Sequence, residues 1–244
     1  TIVGGGYIGI ECAEAFINLG KQVRIIEAAN RILMPFDEEL AAMAMEELTK
    51  HGVKLYLSEK VKGFLGGETV THVETDKGTY DTDLVIVAVG VRPSTGFLKD
   101  TGIRMAKNGA IIVDREFRTS IDDIYAAGDC ALVYNRIMEE DSFLALGTIA
   151  NKGGRITGAN IAGEHQKFTG ALGSAAIKVC DIEMGRTGLG EADAKRLKKK
   201  YKTILVQAYD HPAYYPNPTP ITIKLIYEEG TKKLLGAQAC GQKG

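Results

Sequence analysis

The sequence predicts an α/β fold in its first part and an antiparallel α+β region at its end, and two patterns carry that prediction. Near the N-terminus a short apolar strand leads into a glycine-rich turn, a helix and a second strand. Towards the C-terminus, four segments alternate apolar and polar residues as antiparallel strands do. The 244 residues exceed a typical single domain of about 100–150 residues, so we expect more than one domain.

The glycine-rich turn stands between two predicted strands. Ile2-Val3 reads as the end of the first strand, residues 10–19 favour a helix with an apolar face, and residues 21–27 read as the second strand. The turn, residues 4–9, has the spacing G-x-G-x-x-G. An ordinary turn can also have this spacing, but the order strand, turn, helix and strand is the context in which it indicates a dinucleotide site.

Each motif residue has a predicted task. Gly4 permits the tight turn, Gly6 lets the backbone approach a pyrophosphate, and Gly9 allows close helix–strand packing. The helix N-terminus supplies N–H groups and the positive end of a dipole. Glu27, about 20 residues on, is placed to bond the adenosine ribose hydroxyls and to repel a 2′-phosphate. We therefore predict NADH as the cofactor, and the nearby Arg31 leaves NADPH as the alternative.

The remaining elements of the first part follow in chain order. Asp37–Lys50 predicts an amphipathic helix with Asp37 as its N-cap, and residues 53–57 predict a strand. A small antiparallel crossover is predicted from three short strands, near residues 62–65, 70–75 and 78–81. Residues 84–89 are continuously apolar, which predicts a central parallel strand buried on both faces. This strand ends at Gly90, at the edge where ligands bind in such sheets.

The second half changes character. Residues 110–114, after the turn Asn108-Gly109, and residues 124–127, before Gly128-Asp129, predict short strands. Residues 145–162 predict a helix packed closely through small residues. Beyond a boundary near residues 164–170, strands are predicted at 175–179, 203–208, 221–227 and 234–239, with one helix at 191–200.

Charge and composition limit the kinds of partner that the protein is expected to bind. The net charge of −1 offers no electrostatic case for nucleic acid, and no run reaches the roughly 18 apolar residues of a membrane span. The four cysteines are widely spaced, without a C-x-x-C pair or a cysteine–histidine cluster of zinc spacing. We expect no metal site, and cysteines that are reduced and buried in a cytoplasmic protein.

In their order along the chain, these motifs resemble those of the FAD-dependent pyridine nucleotide–disulfide oxidoreductases. The similarity is strongest to the single-cysteine branch of coenzyme A-disulfide reductases, NADH oxidases and NADH peroxidases. The stretches that carry it are Gly4–Glu11, Glu27–Leu33, Val87–Pro93, Thr119–Cys130, Leu146–Arg155, Phe168–Leu189 and Tyr214–Ala237. Because they span almost the whole chain, the resemblance is more specific than any single motif.

The resemblance implies a domain order. Residues 1–103 would form a Rossmann-like NAD-binding domain that is inserted in an FAD-binding domain. Residues 104–163 would be the returning segment of that FAD-binding domain. Residues 164–244 would form part of an α+β dimerisation domain, so the family implies a homodimer.

The resemblance also implies residues that contact FAD. Asp129, after Gly128, would bond the ribityl chain of the flavin. The helix that follows Leu146-Gly147-Thr148 would point its N-terminus at the flavin pyrimidine, where negative charge develops on reduction. The alternative for Gly128-Asp129 is an ordinary turn at a strand end.

Four further residues are implied on the nicotinamide side. Tyr7 and Ile8 lie in the glycine turn near the nicotinamide pocket, and Tyr7 would swing aside as NADH enters. Glu11 matches a family carboxylate near the nicotinamide, and Gly90 resembles the bend beside it. The alternatives are a turn tyrosine without a function and a helix carboxylate on the surface.

Two family features have no counterpart in the chain: the FAD phosphate-binding glycine motif and the redox-active cysteine in its Ser-Phe-x-x-Cys setting. We expect both to precede Thr1, and the dimerisation domain to extend beyond the end. The chain is therefore expected to be truncated at both ends and inactive by itself.

For the intact enzyme, the resemblance implies hydride transfer from NADH to FAD and then to a cysteine-centred acceptor. Coenzyme A disulfide or a persulfide is favoured by Tyr214-Tyr215-Pro216, where a tyrosine of one subunit would approach the cysteine of the other, although such tyrosines often only pack. An NADH oxidase or peroxidase, acting on oxygen or peroxide, is the alternative enzyme. A catalytically inert fragment that binds nucleotide and dimerises is the alternative of another class.

Overall fold

The computed structural model describes residues 1–242 and contains two compact units. The first unit combines residues 1–90 with the chain from residue 176 onward. The second unit comprises residues 91–175. The mixed α/β architecture predicted from the sequence is confirmed.

The first unit begins with a parallel sheet, two helices and a small antiparallel sheet. In chain order the elements are β1 (Ile2–Val3), α1 (Tyr7–Asn18), β2 (Arg24–Glu27), α2 (Glu38–Lys50), β3 (Lys54–Leu57), β4 (Val61–Gly66), β5 (Val70–Thr75), β6 (Thr79–Asp81) and β7 (Ile86–Val87). The parallel sheet has the order β3-β2-β1-β7, and β4-β5-β6 form the predicted crossover. Apolar residues of both helices are completely buried, including Ile10 on α1 and Leu40, Ala44 and Leu48 on α2. Their spacing of about one helical turn explains why these segments form amphipathic helices.

The prediction of a central strand at residues 84–89 was wrong. Only Ile86–Val87 form a strand, and β7 lies at the edge of the parallel sheet, paired with β1 alone. Leu84, Val87 and Val89 are 48%, 58% and 70% exposed. An apolar run records the preference of its side chains for burial, but the strands and layers around it decide whether they are buried.

Asp37 also differs from its predicted role. It occupies the N-cap position of α2, but its side chain makes no capping hydrogen bond. Its Oδ1 instead accepts the N–H of Glu191 at 2.9 Å, and its Oδ2 lies 3.3 Å from the Lys224 ammonium. A contact with residues distant in sequence therefore replaces the local bond that the sequence predicts.

The second unit contains few regular elements. Its strands and helix are β8 (Val133–Asn135), β9 (Glu140–Ser142) and α3 (Gly147–Ile161), with a short 3-10 turn at Gly96–Leu98. The strands predicted at residues 110–114 and 124–127 were wrong, since these segments form only isolated bridges. The close packing of α3 through small residues is confirmed, because a Cβ at Gly153 would lie 3.0 Å from the Phe117 ring.

The last part of the chain returns to the first unit as a five-stranded sheet. Its elements are β10 (Ala175–Val179), β11 (Ile182–Gly188), α4 (Glu191–Arg196), β12 (Tyr201–Tyr209), β13 (Pro220–Glu228) and β14 (Leu234–Gly241). The strand order is β10-β11-β14-β13-β12. β11 was not predicted, and α4 ends at Arg196 rather than residue 200, before Lys198, whose φ of 53° is left-handed. This sheet packs directly on the nucleotide-type part of the first unit, where Glu14 of α1 bonds both Lys178 and the N–H of Cys180.

Candidate functional site

Packing around the glycine turn leaves no room for a side chain at three of its four glycines. Gly4 has a φ of 105°, and a Cβ there would collide with the carbonyl oxygen of Ala88. A Cβ at Gly9 would collide with the carbonyl oxygen of Gly4, and one at Gly5 would lie 2.5 Å from Cγ2 of Ile32. Three glycines of the turn are therefore required by the packing of the chain itself.

Gly6 differs from the other three glycines. A Cβ built on it meets no atom within 4 Å. It is the N-cap of α1, in extended conformation (φ −81°, ψ −175°), and no side chain caps the helix. The first N–H groups of α1 therefore lie beside open space, as the approach of an anionic ligand requires.

Glu27 is fixed at this turn by two hydrogen bonds. Its Oε2 accepts the N–H of Gly5 at 2.7 Å, and its Oε1 accepts the N–H of Ala29 at 2.7 Å. Each oxygen keeps a free lone pair, since a carboxylate can accept about four hydrogen bonds. The structure thus brings together the turn and the carboxylate that the sequence analysis paired.

Arg31 lies close to this turn but is already engaged. Its Nη2 donates to the carbonyl oxygens of Phe36 at 3.2 Å and Met34 at 3.4 Å. Its Nε is buried and has no hydrogen-bond partner among the described residues. A phosphate would have to compete with these carbonyl groups for the guanidinium.

The residues assigned to the nicotinamide side surround the turn. The Tyr7 ring lies 6.2 Å from that of Phe36, its hydroxyl is buried without a partner in residues 1–242, and burial raises the pKa of Tyr7. Ile8 is 53% exposed, and Glu11 is also exposed. Gly90 has a φ of 96° and open space at its Cβ position. Tyr7 thus occupies a packed position against Phe36 while Ile8 and Glu11 face solvent.

The residues assigned to the flavin side lie together in the second unit. Gly128 has a φ of 91°, and Asp129 is exposed. Leu146 is the N-cap of α3 and makes no side-chain capping bond, so Gly147 and Thr148 present an open first turn. A Cβ at Gly153 of α3 would lie 3.6 Å from Cβ of Ala127. Gly128 and Asp129 therefore come directly after a residue that packs on this helix.

Tyr214 and Tyr215 lie on the loop between β12 and β13. They are 82% and 57% exposed, and their rings lie 4.9 Å apart. Neither ring is buried in the core of the described chain, and the two rings contact each other.

The four cysteines are free, but only two are buried as expected. Burial raises the pKa of Cys180 and of Cys240 to about 11, so both thiols stay protonated at neutral pH. Cys12 and Cys130 are half-buried.

One group of side chains has the composition of a metal site. Ligand atoms of Glu47, His51 and Asp181 lie within 4.8 Å of one another. The Lys50 ammonium lies 3.5 Å from the Glu47 carboxylate and 3.7 Å from that of Asp181. The Lys50 ammonium thus offsets one of the two carboxylate charges of this group, which joins the C-terminus of α2 to the turn before β11.

The sheet edge, the open glycine turn and the fixed carboxylate together define a dinucleotide-binding protein of Rossmann type. Comparison with known families refines this class. Residues 1–165 match the pyridine nucleotide-disulphide oxidoreductase family, and residues 174–244 match the dimerisation domain of the same enzymes. The chain therefore belongs to the pyridine nucleotide-disulphide oxidoreductases.

Individual relatives divide between two activities. The NAD(P)H coenzyme A polysulfide/persulfide reductase of Pyrococcus horikoshii is 40% identical over 99% of this chain and 54% of its own length. The NADH oxidase of Streptococcus pyogenes is 34% identical over 100% of the chain and 54% of its own. The solved water-forming NADH oxidase of Lactobacillus brevis, bound to NADH, has a TM-score of 0.94 at 33% identity, covering 99% of this chain and 54% of that one. The chain thus spans about half the length of these relatives.

The sequence analysis missed Gly5 and Lys224. Gly5 donates to Glu27 and packs on Ile32, and the run of three glycines at the turn was the available signal. Lys224 is completely buried among carboxylates, although lysine in an alternating strand normally indicates the solvent face. In residues 1–242, no helix combines the length and apolar character that a membrane crossing needs.

Proposed function

We propose that this chain carries the NADH site of an FAD-dependent oxidoreductase that passes hydride electrons through FAD to a cysteine-centred acceptor. The observation that carries the proposal is the contrast within the glycine motif. Packing requires Gly4, Gly5 and Gly9, whereas Gly6 faces open space beside the fixed Glu27 carboxylate. Packing gives no reason for a residue without a side chain at Gly6, and its N-cap position could also take serine or aspartate, whereas a closely approaching ligand favours glycine.

The residues present fit a dinucleotide. The N–H groups at the start of α1 would bind the pyrophosphate, and the free lone pairs of Glu27 would accept the ribose hydroxyls. The negative charge of Glu27 would repel a 2′-phosphate, which supports NADH over NADPH. When bound, NADH supplies the hydride and FAD receives it. Tyr7, Ile8, Glu11 and Gly90 would line the nicotinamide end.

We expect Glu27→Ala to weaken NADH binding about tenfold or more, because hydrogen bonds to a charged group contribute about 1.5–3 kcal/mol. Glu27→Gln keeps the size but removes the charge, so it should narrow the preference for NADH over NADPH. Calorimetric titration with both cofactors measures this, and Glu68→Ala on the exposed β4–β5 turn is the matched control. An unchanged preference in a folded Glu27→Gln variant would remove Glu27 from the ribose site.

On the flavin side, Asp129 would bond the ribityl chain of FAD, and the N-terminus of α3 at Leu146-Gly147-Thr148 would face the flavin pyrimidine. The open first turn of α3 supports this role, since its N–H groups have no side-chain cap. Residues 104–163 would then be the returning segment of the FAD domain, between an NAD domain at 1–103 and a dimerisation domain from 164. Asp129→Ala in the intact enzyme should lower the bound flavin more than the NADH affinity.

For the acceptor we propose coenzyme A disulfide or a persulfide, and Tyr214 and Tyr215 support it. Both are exposed on a loop from which they could reach a second subunit. The relative from P. horikoshii acts on coenzyme A persulfides by its name, while the oxidase relatives support oxygen as the second candidate. Neither buried cysteine of this chain has the thiolate character of a redox centre.

The decisive experiment compares acceptors in a protein that carries this chain together with the segment that precedes it in the relatives. NADH-dependent thiol release from coenzyme A disulfide is expected to exceed the consumption of oxygen or peroxide. Tyr214→Phe and Tyr215→Phe should slow the thiol release without changing flavin content. If oxygen is consumed faster, the oxidase alternative replaces the reductase. If the longer protein binds NADH but retains no flavin absorbance, it is a nucleotide-binding fragment rather than an enzyme.

We also propose that the protein is a homodimer through its C-terminal sheet. β12 is an edge strand whose Ile204, Leu205 and Val206 are 46%, 46% and 42% exposed. Such an edge needs a covering partner, and a second copy would meet it with the same patch. Sedimentation should give a dimer in the longer protein, and Leu205→Glu should dissociate it, whereas Lys202→Glu on the same strand should not.

A further inference from the structure

The connection between β2 and α2, residues 28–37, contacts both the helix that follows the glycine turn and the C-terminal sheet. On one side, the Phe36 ring packs on that of Tyr7, with centroids 6.2 Å apart. On the other side, Asp37 donates its N–H to Oε1 of Gln238 on β14 at 2.8 Å, across 201 residues of sequence. Both contacts lie within the first compact unit. The connection therefore joins Tyr7 to the C-terminal sheet.

The sheet holds Asp37 by its backbone and by its carboxylate. Buried Gln238 lies in register between Arg186 on β11 and Lys224 on β13. Lys224 lies 3.3 Å from the Asp37 carboxylate, which also accepts the N–H of Glu191. Lysine and arginine side chains have no hydrogen-bond acceptor. Gln238 is therefore the member of this row that can bind the backbone N–H of Asp37.

Phe36 is placed by the bonds on either side of it. Its N–H donates to the carbonyl oxygen of Leu33 at 2.8 Å, and its own carbonyl oxygen accepts Nη2 of Arg31 at 3.2 Å. Asp37, the next residue, is held by Gln238. Loss of the bond to Gln238 would release this end and leave a buried N–H without its acceptor, which is costly.

The position of Tyr7 depends on that of Phe36. The Tyr7 hydroxyl is buried and has no hydrogen-bond partner within residues 1–242. Packing rather than a polar bond therefore holds the ring, and Phe36 is its aromatic neighbour in the described chain. A shift of Phe36 would let Tyr7 move.

The adenosine end of the site is held separately. Gly5 donates to Glu27 at 2.7 Å, and the N–H of Gly4 donates to the carbonyl oxygen of Ile26 at 2.9 Å. Neither bond involves Asp37 or Gln238. A change at Gln238 should therefore affect the two ends of a bound dinucleotide differently.

We propose that Gln238 is a positioning residue for the nicotinamide end of the NADH site. Its bond to Asp37 places Phe36, and Phe36 places Tyr7. This inference rests on the NADH site proposed above and adds the C-terminal sheet to the parts of the chain that determine cofactor affinity.

Calorimetric titration of the full chain with NADH and with ADP-ribose tests the proposal, because ADP-ribose keeps the adenosine and pyrophosphate but lacks the nicotinamide. We expect Gln238→Leu to weaken NADH binding about fivefold or more, the lower end for coupled sites, and ADP-ribose binding less than about twofold. Gln238→Glu keeps an acceptor oxygen and should restore most of the NADH affinity. Gln22→Leu, the same substitution at an exposed position before β2, should change neither affinity.

Phe36→Leu tests the second step without changing the sheet. It removes the ring that packs on Tyr7 and should also weaken NADH binding more than ADP-ribose binding. Because both substitutions act through one contact, the variant carrying Gln238→Leu and Phe36→Leu should lose little more affinity than the weaker-binding single variant. Additive losses would show that Gln238 acts by another route, and the proposal would fail.

Fluorine NMR of the chain labelled with 3-fluorotyrosine follows Tyr7 directly, with Tyr7→Phe to assign its resonance. Gln238→Leu should shift this resonance and Gln22→Leu should not. An unmoved Tyr7 resonance, or equal weakening of NADH and ADP-ribose, would overturn the proposal. A parent chain that binds neither ligand would contradict the NADH site instead, and the Tyr7 resonance would then test the positioning contact alone. Circular dichroism separates a displaced Tyr7 from a lost fold.

Discussion

Gly9→Ala is expected to destabilise the first unit by about 3 kcal/mol, close to the upper end for overpacking. The new methyl group would collide with the carbonyl oxygen of Gly4, which is backbone and cannot rotate away. Alanine is a better helix former than glycine by about 1 kcal/mol, so the clash must outweigh a favourable propensity. Urea denaturation followed by circular dichroism measures the effect. A Gly9→Ala variant as stable as the parent would show that α1 does not need this close approach.

Gly6→Ala is the matched substitution in the same motif. Its methyl group meets no atom of the chain, so the expected cost to folding is about 1 kcal/mol or less, from the weaker N-cap. The same methyl group would occupy the space through which a pyrophosphate must approach. NADH affinity should therefore fall about tenfold or more while the fold persists. The two variants separate a glycine kept for packing from one kept for a ligand.

The second large effect is expected at Lys224. Its ammonium lies 2.5 Å from the Glu191 carboxylate, 2.7 Å from that of Glu39 and 3.3 Å from that of Asp37. Lys224→Met keeps most of the side-chain volume but leaves three carboxylates without their cation. Removing one partner of a buried ionic group costs about 3–5 kcal/mol, and we expect about 3 because Glu39 is 45% exposed.

The pH dependence of this cluster has a defined sign. Although burial opposes it, the hydrogen bond from Lys224 holds the pKa of Glu39 below its usual range, and the same lysine lowers the pKa of Glu191. The stabilisation from these lowered pKa values is present at neutral pH and is lost as the pH falls through them. The difference in stability between parent and Lys224→Met should therefore shrink in acid, where the carboxylates become protonated.

Two further variants make the Lys224 prediction specific. Lys202→Met removes a surface pair with Glu229, at 57% and 51% exposure, and should change stability by about 1 kcal/mol or less. Adding Glu191→Gln to Lys224→Met should restore part of the lost stability, because one unpaired charge is removed. Equal effects of Lys224→Met and Lys202→Met at neutral pH would contradict a buried ionic cluster.

The sequence predicted the outline of the fold because local patterns carry it. The 3.6-residue periodicity placed α2, and Gly52 marked its C-terminal end. The glycine turn marked the start of α1. The order of strand, glycine turn, helix and acidic strand end paired Gly4–Gly9 with Glu27, and the structure brings them to 2.7 Å through Gly5. Alternating residues likewise predicted most of the C-terminal strands.

Other features were decided only by tertiary structure. Residues 84–89 read as a central strand, but the number of neighbouring strands is a property of the assembled sheet, and β7 lies at its edge. The sequence predicts Asp37 as a helix cap. In the structure its carboxylate instead accepts the N–H of Glu191 and pairs with the Lys224 ammonium, both distant in sequence.

By itself, the sequence determined the α/β class, the glycine motif and the acid that belongs to it, because residues close along the chain form these features. Only the folded chain showed which glycines are required by packing and that Lys224 is a buried cation. The physical reason is the same in each case: burial and charge pairing depend on neighbours that are distant in sequence, and no local pattern records them.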